Sequence, residues 1–421
     1  MDDFTASSLL AIAQGPGTPS YVYFARPIRH RVFELQQSFG ENFDLSFAVK
    51  SNPNREVLRL LHGTGIGLDV SSLGEVKRGL DAGFVAGQIG FSGPAKRRFE
   101  IEGGVSAGIG EFICESLEEV KELNRVAASQ GVVQAFLLRI NPSEVPRQFG
   151  LHMGGRPSQF GIDEESMAQL KPAIAGLPSV RLKGFHIFSG GNSLHAGAII
   201  ENLANSAALF RQFSELFEIA PEKLIFGAGF GIPYFEGDEE LDLSELAAGL
   251  NPIVASMRAC PRYQRSRFVL EMGRFLVGSF GYLLTSVVGT KQSRGTDIRL
   301  CDAGFNNHLS AAGMMGSVMR RDWRFWNLSR LQAGTEAEYL LVGPLCASFD
   351  ILGAKVRLAE TSKGDVLAVG SSGAYGLTAS PTRFISHPEP QEFLVDEVEG
   401  NAVITDVTES QAHCPGVSPA E

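Results

Sequence analysis

A lysine directly after an apolar run, in Phe47-Ala-Val-Lys50-Ser-Asn, is costly to bury unless its charge is paired or its amine is used covalently. Farther along, Asp69, Arg139, His186 and Glu271 each lie in or at the end of a short run of aliphatic and aromatic residues. Two glycine-rich turns accompany them, Ser189-Gly190-Gly191 after His186 and Gly227-Ala-Gly229-Phe-Gly231, and Arg274 follows shortly after Glu271. Such turns offer backbone N–H groups, and the arginine a charge, to a phosphate. A lysine able to form an imine, a phosphate cup and a carboxylate together suggest pyridoxal 5'-phosphate. In that reading Lys50 makes the imine, a role that calls for a depressed amine pKa. Glu271 faces the pyridine nitrogen and keeps it protonated, while His186 stacks on the ring. A protonated ring absorbs the electron pair left when an amino acid loses CO2.

These residues need elements to aim them at one point. From about residue 45 to residue 274 a short β-like run, a polar or glycine-rich turn and a helical stretch alternate. The strand candidates are Leu45–Lys50, Gly67–Val70, Ile89–Ser92, Phe112–Glu115, Gln134–Ile140, Lys183–Phe188, Leu224–Gly227 and Phe268–Glu271. Ser72-Leu-Gly-Glu75 and Ser116-Leu-Glu-Glu119 have the form of capping boxes that start helices. Strands and helices in this alternation predict an α/β fold, a (β/α)8 TIM barrel, whose usual size is about 250 residues. A doubly wound open sheet competes, because periodicity alone does not close a barrel. In a barrel the active site lies at the C-terminal ends of the strands, where all the residues above fall.

After residue 275 the texture changes. Gly281–Val288, Ile298–Cys301, Tyr339–Val342 and Val366–Val369 are short β-like runs broken by Gly, Asp and Pro, which predicts an all-β domain, a barrel or sandwich. The expected division is 1–25 as a strand, around Tyr21–Phe24, that joins the β-domain, 26–274 as the cofactor-binding barrel, and 275–421 as the β-domain with a loose tail.

The sequence resembles the fold-type III pyridoxal-phosphate decarboxylases, the diaminopimelate, ornithine and arginine decarboxylase group that shares its barrel with alanine racemase. The resemblance runs from Tyr21 to about Val395. It rests on Phe47-Ala-Val-Lys50-Ser-Asn, Asp69-Val-Ser-Ser-Leu-Gly-Glu75, Ser92-Gly-Pro-Ala-Lys96 and Gly184-Phe-His-Ile-Phe-Ser-Gly190. It continues with Gly227-Ala-Gly-Phe-Gly231-Ile-Pro-Tyr, Glu271-Met-Gly-Arg274, Asp302-Ala-Gly304, Gly343-Pro-Leu-Cys346 and Gly373-Ala-Tyr375-Gly, all in the family's order. The resemblance implies that Lys50 holds the cofactor, His186 stacks on it, and Glu271 binds the pyridine nitrogen. Ser189, Gly229, Gly231, Arg274 and Tyr375 would hold the phosphate; Asp69 and Arg139 would support the lysine and ring. An ion pair between Asp69 and Arg139 is the structural alternative. Cys346 would enter from the second subunit of a homodimer and protonate the product carbon. The related racemases place an arginine opposite the ring nitrogen, so a carboxylate at position 271 favours decarboxylation.

Departures from the family pattern bear on substrate. The family often has an acid directly after the catalytic cysteine, where it reads a distal amine; here that residue is Ala347, although Asp350 keeps a later acidic position. The Arg-Pro-x-x-Tyr run of diaminopimelate decarboxylases is replaced by Asn306-Asn-His-Leu-Ser-Ala-Ala-Gly-Met-Met315. Met153-Gly-Gly-Arg-Pro-Ser-Gln-Phe-Gly161 is similar to a natural-product subgroup that includes the butirosin-type decarboxylase of glutamyl groups tethered to an acyl carrier protein. Asp350, His308 and Arg156 are candidate substrate contacts, with His195 and Arg320 further off. The expected substrate is a modified or carrier-tethered L-amino acid; a free diamino acid is the alternative, and a non-catalytic regulatory relative the reading from another class.

Composition narrows the rest. The 421 residues carry 37 basic and 47 acidic side chains, a net charge of −10, which disfavours nucleic acid or an anionic membrane as partner. Five well-separated cysteines without a C-x-x-C indicate neither a disulfide framework nor a zinc site. The acidic start lacks the layout of a signal peptide and no apolar run reaches membrane-spanning length, so a cytoplasmic protein is expected.

Overall fold

The computed structural model describes residues 1–146, 151–314, 321–331 and 335–409; the candidate Arg320 and Met315 lie outside them. Helix α1 (Asp3–Gln14) precedes strand β1 (Ser20–Phe24), and α2 (Ala25–Phe39) leads into β2 (Asp44–Ala48). There follow α3 (Arg55–His62), β3 (Gly67–Val70), α4 (Leu73–Asp81), β4 (Ile89–Phe91), α5 (Arg98–Ala107), β5 (Glu111–Cys114), α6 (Leu117–Ser129) and β6 (Gln134–Asn141). Two short strands, β7 (Leu151–His152) and β8 (Ile162–Asp163), come before α7 (Met167–Ala175), β9 (Val180–Ile187), β10 (Gly190–Gly191), α8 (Ala196–Leu216), β11 (Lys223–Gly227), α9 (Leu243–Arg258) and β12 (Arg267–Met272).

The barrel closes. Strands β2, β3, β4, β5, β6, β9, β11 and β12 pair in parallel in chain order, and β12 pairs back onto β2, with Val269 opposite Asp44 and Met272 opposite Phe47. This settles the choice against an open doubly wound sheet. Each expected strand forms to within a few residues; the main shift is that β2 ends at Ala48, so Lys50 sits in the tight turn after the strand. The helices begin as expected in part. Ser72 and Ser116 Oγ accept from the N–H groups of Glu75 and Glu119. The two glutamates, however, reach one residue farther back than a capping box requires, to the N–H groups of Ser71 and Glu115.

Alternation along the strands stratifies the barrel interior. Ile113, Leu137, Ile225 and Val269 form a separate apolar cluster in the middle. Two residues toward the N-terminal end on the same faces lie Glu111 and Lys223, an ion pair joined by Lys183. Two residues toward the C-terminal end lie Glu115, Arg139 and Glu271.

The second sheet has the order β17-β16-β14-β13-β1-β19-β20, with β18 on β13 and β15 on β18. Its strands are β13 (Gly281–Ser293), β14 (Thr296–Cys301), β15 (Phe325–Asn327), β16 (Glu336–Val342), β17 (Ile351–Ala359), β18 (Val366–Val369), β19 (Gln391–Val398) and β20 (Asn401–Asp406). Strand β1 lies inside this sheet, antiparallel to β13 and parallel to β19. Among the described residues no helix is long and apolar enough to cross a membrane.

Gly184 shows how tightly the barrel wall is drawn. A Cβ there would lie 1.8 Å from the Lys223 carbonyl oxygen of the neighbouring strand. Gly184→Ala is expected to lower stability by about 2–3 kcal/mol or more, since backbone of a closed barrel yields little; thermal unfolding of the variant checks this.

Candidate active site

Lys50 follows shortly after the end of β2, and its side chain is exposed at the C-terminal mouth of the barrel, with Nζ 6.0 Å from the Phe188 ring centre. Gly227 makes room for that ring: a Cβ at 227 would lie 2.1 Å from it. Gly273 packs in the same way on Ser51, at 2.9 Å. The chain after Lys50 is held by the second sheet's connections. Tyr375 N–H donates to Ser51 O (2.8 Å) and Asn52 Nδ2 donates to Gly373 O (3.0 Å).

The two strands that flank β2 bring charge to this lysine. Burial pushes the Lys50 amine down, but Asp69 and Glu271 outweigh that and raise it above its ordinary value. The expected depressed amine is therefore not what the chain alone provides: the neighbouring Asp69 and Glu271 carboxyl groups favour its charged form. Asp69 accepts from Ser92 Oγ (3.0 Å); burial, then the charge of Glu271, pushes its carboxyl well above the usual range. Glu271 goes the other way. Burial pushes it up, yet the hydrogen bond from His186 and the charges of Lys50 and Arg139 bring it down to about 2.

His186 Nε2 lies 2.9 Å from Glu271 Oε2, and both side chains are buried. Burial pushes the imidazole below its ordinary value. The pair therefore consists of a neutral ring donating through Nε2 to an ionised carboxylate, whose counter-charges are Lys50 and Arg139. That assignment leaves Nδ1 unprotonated, and it has no hydrogen-bond partner.

Arg139 pairs with Glu115 (2.9 Å), not with Asp69, so the proposed Asp69–Arg139 pair does not form. The reason is position: Glu115 ends the adjacent strand β5 on the same inward face. Its guanidinium lies 4.7 Å from the Phe160 ring centre.

The glycine turns after β9 and β11 are joined to each other. Ser193 N–H donates to Gly229 O (3.0 Å) and Gly231 N–H to Ser193 O (2.8 Å). Gly229 has φ +69°, and a Cβ at Gly231 would lie 2.7 Å from Ser193 O, so both positions call for glycine. Ser189 Oγ is buried without a partner. Arg274 Nη1 donates to Tyr234 OH (2.7 Å), and its guanidinium lies 5.0 Å from the Tyr375 ring centre. The donors suited to a phosphate thus stand on one side of Lys50, and a carboxylate–imidazole pair on another. Orphaned Ser189 Oγ and His186 Nδ1, together with the glycine cradle, fit pyridoxal 5'-phosphate.

The expected substrate contacts fare differently. His308 is wholly buried: its ring nitrogens meet Ser372 Oγ (3.0 Å) and Ala311 N–H (3.2 Å), and Trp323 packs on its ring, so it is a core residue. Asp350 is buried too, its oxygens accepting from Phe305 N–H and Leu345 N–H (2.8 Å each), so it braces the loop rather than facing a ligand. Arg156 and His195 are exposed, Arg156 on the loop between β7 and β8. Cys346 is exposed on the connection from β16 to β17, with Ala347 half-buried against the Phe305, Ala312 and Leu345 cluster.

Sequence reasoning gave no role to Glu115, Phe188 or Tyr234. The signal was available for Glu115, which ends a barrel strand just as Glu271 nearly does; Tyr234 stood inside a quoted motif, but its contact with Arg274 is tertiary.

Glu271, depressed from its unfolded value, stabilises the fold above the unfolded carboxyl range, and that contribution is lost as pH falls toward about 2. In unfolding midpoints measured between about pH 2 and 5, Glu271→Gln is expected to flatten the acid limb.

Residues 25–278 match the family described as pyridoxal-dependent decarboxylase, pyridoxal binding domain. Over 391 residues the chain is 31% identical to the L-glutamyl-[BtrI acyl-carrier protein] decarboxylase of Niallia circulans, covering 92% of this chain and 91% of that one. It is 31% identical to the diaminopimelate decarboxylase of Archaeoglobus fulgidus, covering 91% and 89% respectively. Diaminopimelate decarboxylase from Helicobacter pylori, solved with L-lysine, superposes with a TM-score of 0.82 at 25% identity, over 95% of this chain and 96% of that one.

Proposed function

The chain belongs to the pyridoxal-dependent decarboxylases, and within that family we propose that it acts on a modified or carrier-protein-tethered L-amino acid in a specialised biosynthetic pathway. It is a pyridoxal-phosphate-dependent amino acid decarboxylase, a carboxy-lyase. When bound, the cofactor supplies an electron sink for the carbanion left by CO2.

The chain's own residues supply the rest. Lys50 is the covalent anchor, and Asp69 and Glu271 keep positive charge favourable at its Nζ. Glu271, as an ionised carboxylate, would hold a proton at the pyridine nitrogen, and neutral His186 orients that carboxylate and would support the ring. Ser189, Gly229, Gly231, Arg274 and Tyr375 would hold the phosphate, and Arg139 would support the ring environment. The observation that carries this reading is a buried carboxylate, Glu271, held ionised beside Lys50, at the same barrel mouth as the joined glycine turns and Arg274.

Cys346 delivers a proton from Sγ to the product carbon, and we place it in the active site of a second copy. Supporting this, Cys346 is exposed on the same loop as the exposed Phe349, and Phe305 packs its ring at a tilt against both Phe349 and the exposed Phe384, at 5.1 and 5.5 Å. Such an apolar surface around a thiol suits burial in a homodimer. The tethered substrate is supported by the Niallia circulans relative and by Ala347, which offers nothing to a distal amine. A free diamino acid is the second reading, favoured by the diaminopimelate decarboxylase relatives. We place the enzyme in the cytoplasm.

Reconstituted protein is expected to be yellow, with borohydride fixing the cofactor on Lys50 and Lys50→Ala losing the band. A CO2-release screen should give at least about tenfold higher kcat/KM, over ~1.4 kcal/mol, for a glutamyl carrier protein than for free glutamate, ornithine, lysine or diaminopimelate. Equal or faster release from a free diamino acid rejects the tethered reading. Cys346→Ala should keep the band and lose at least about tenfold in product formation.

A further inference from the structure

Arg139 stands in the site with only Glu115 as its ion-pair partner among the described residues. The Glu115 carboxylate does more than neutralise it. Oε1 accepts from Arg139 Nη1 (2.9 Å) and from Gly93 N–H (3.0 Å), and Oε2 accepts from Gly161 N–H (2.8 Å). Gly93 opens the loop after β4, next to Ser92, whose hydroxyl holds Asp69. Gly161 closes the segment that begins at Met153, whose N–H donates to Ser189 O (2.8 Å) and whose neighbour β7 pairs with β10. Both glycines have positive φ, +110° and +73°, so each loop is bent to present its N–H to this carboxylate. Behind it, Glu115 N–H donates to Glu119 (2.9 Å), which is paired with the buried Lys96. Glu115 is therefore itself fixed in place.

We propose that Glu115 is a positioning residue of the active site: its single carboxylate orients Arg139 and pins, at Gly93 and Gly161, the two loops on either side of it. It also sets the local field. At His186 the charges of Arg139 and Glu115 act in opposite directions, and at Lys50 the charge of Arg139 opposes those of Asp69 and Glu271. The other titratable groups facing Lys50 are the Tyr375 phenol and, from α4, Glu75. Without Glu115, the Arg139 guanidinium would lose this ion-pair partner and its charge would weigh more heavily against Asp69 and Glu271 at the Lys50 link.

The inference rests on Lys50 as the cofactor's attachment point, and the test separates the two. Wild type, Glu115→Gln, Glu115→Asp and Gly161→Ala are loaded with pyridoxal 5'-phosphate, and the absorbance of the Lys50-linked cofactor is followed against pH. In Glu115→Gln the midpoint of the protonated band is expected to fall by about half a pH unit or more, because positive charge beside a cation is no longer offset. Glu115→Asp, which keeps the charge, should remain near wild type. Gly161→Ala, whose Cβ meets Asn141 N at 2.9 Å, should speed amide exchange across Met153–Gly161 and leave the midpoint in place. An intact band in Glu115→Gln with the wild-type midpoint overturns the proposal, as does an equal displacement in Gly161→Ala. A wild type that forms no band on Lys50 overturns the assignment of Lys50 instead.

Discussion

Charge is admitted to the inside of this barrel only at its two ends. Ile113, Leu137, Ile225 and Val269 fill the middle with hydrocarbon, and strand alternation then fixes which residues stand above and below them. Below, Glu111 is bridged by Lys183 and Lys223. Above, Glu115, Arg139, His186, Glu271 and Asp69 are buried together around the accessible Lys50. A buried charge left without a partner there costs about 3–5 kcal/mol, so each group's state is dictated by its neighbours. Glu271 remains ionised because His186 donates to it and two cations face it; Asp69, with a carboxylate across from it, is the one driven toward the proton.

The lysine at the centre of that arrangement is positioned from both domains. Its strand belongs to the barrel, but the residues after it are fastened to the second sheet's loops: Ser51 to Tyr375, Asn52 to Gly373 and Asn54 to Val407. Tyr375 adopts φ +53°, an unfavourable backbone for a tyrosine, which places its N–H on Ser51 and its ring beside Arg274. The second sheet is thus a structural part of the site. Strand β1, threaded between β13 and β19 before the barrel begins, ties the two folding units at the start of the chain as well.

Much of this was legible in the residues. Strand ends are where inward-facing polar side chains break an apolar run, so the eight strands and the residues closing them could be read directly. The outer strands of the second sheet could not: β17 and β19 mix exposed and buried positions without strict alternation, and β20 is exposed throughout. Partner choice was also hidden. Asp69 and Arg139 have opposite charge and neighbouring roles, but only the β5–β6 pairing shows that Glu115 is adjacent to Arg139. The Lys50 amine was misjudged for a related reason. Burial argues for a lowered pKa, and the two carboxyl groups that reverse it come from the strands on either side of β2, Asp69 from the next strand in the chain and Glu271 from the last strand of the barrel.

The same reasoning changes what the Cys346 loop can do. Asp350, read from sequence as an acid facing substrate, lies so close to the turns at Gly304 and Gly343 that a Cβ at either would meet its carboxylate within 2.4 Å. Both its oxygens are occupied by backbone N–H groups, and turning it outward would orphan Phe305 N–H and Leu345 N–H. The acid therefore belongs to the loop's own architecture, and Ala347 packs into the small apolar cluster beneath. What this loop presents outward is a thiol amid hydrocarbon. The exposed turn carrying Arg156 is built differently: it follows the strand that carries Arg139, is pinned to Glu115 at one end and is tied to Ser189 at the other.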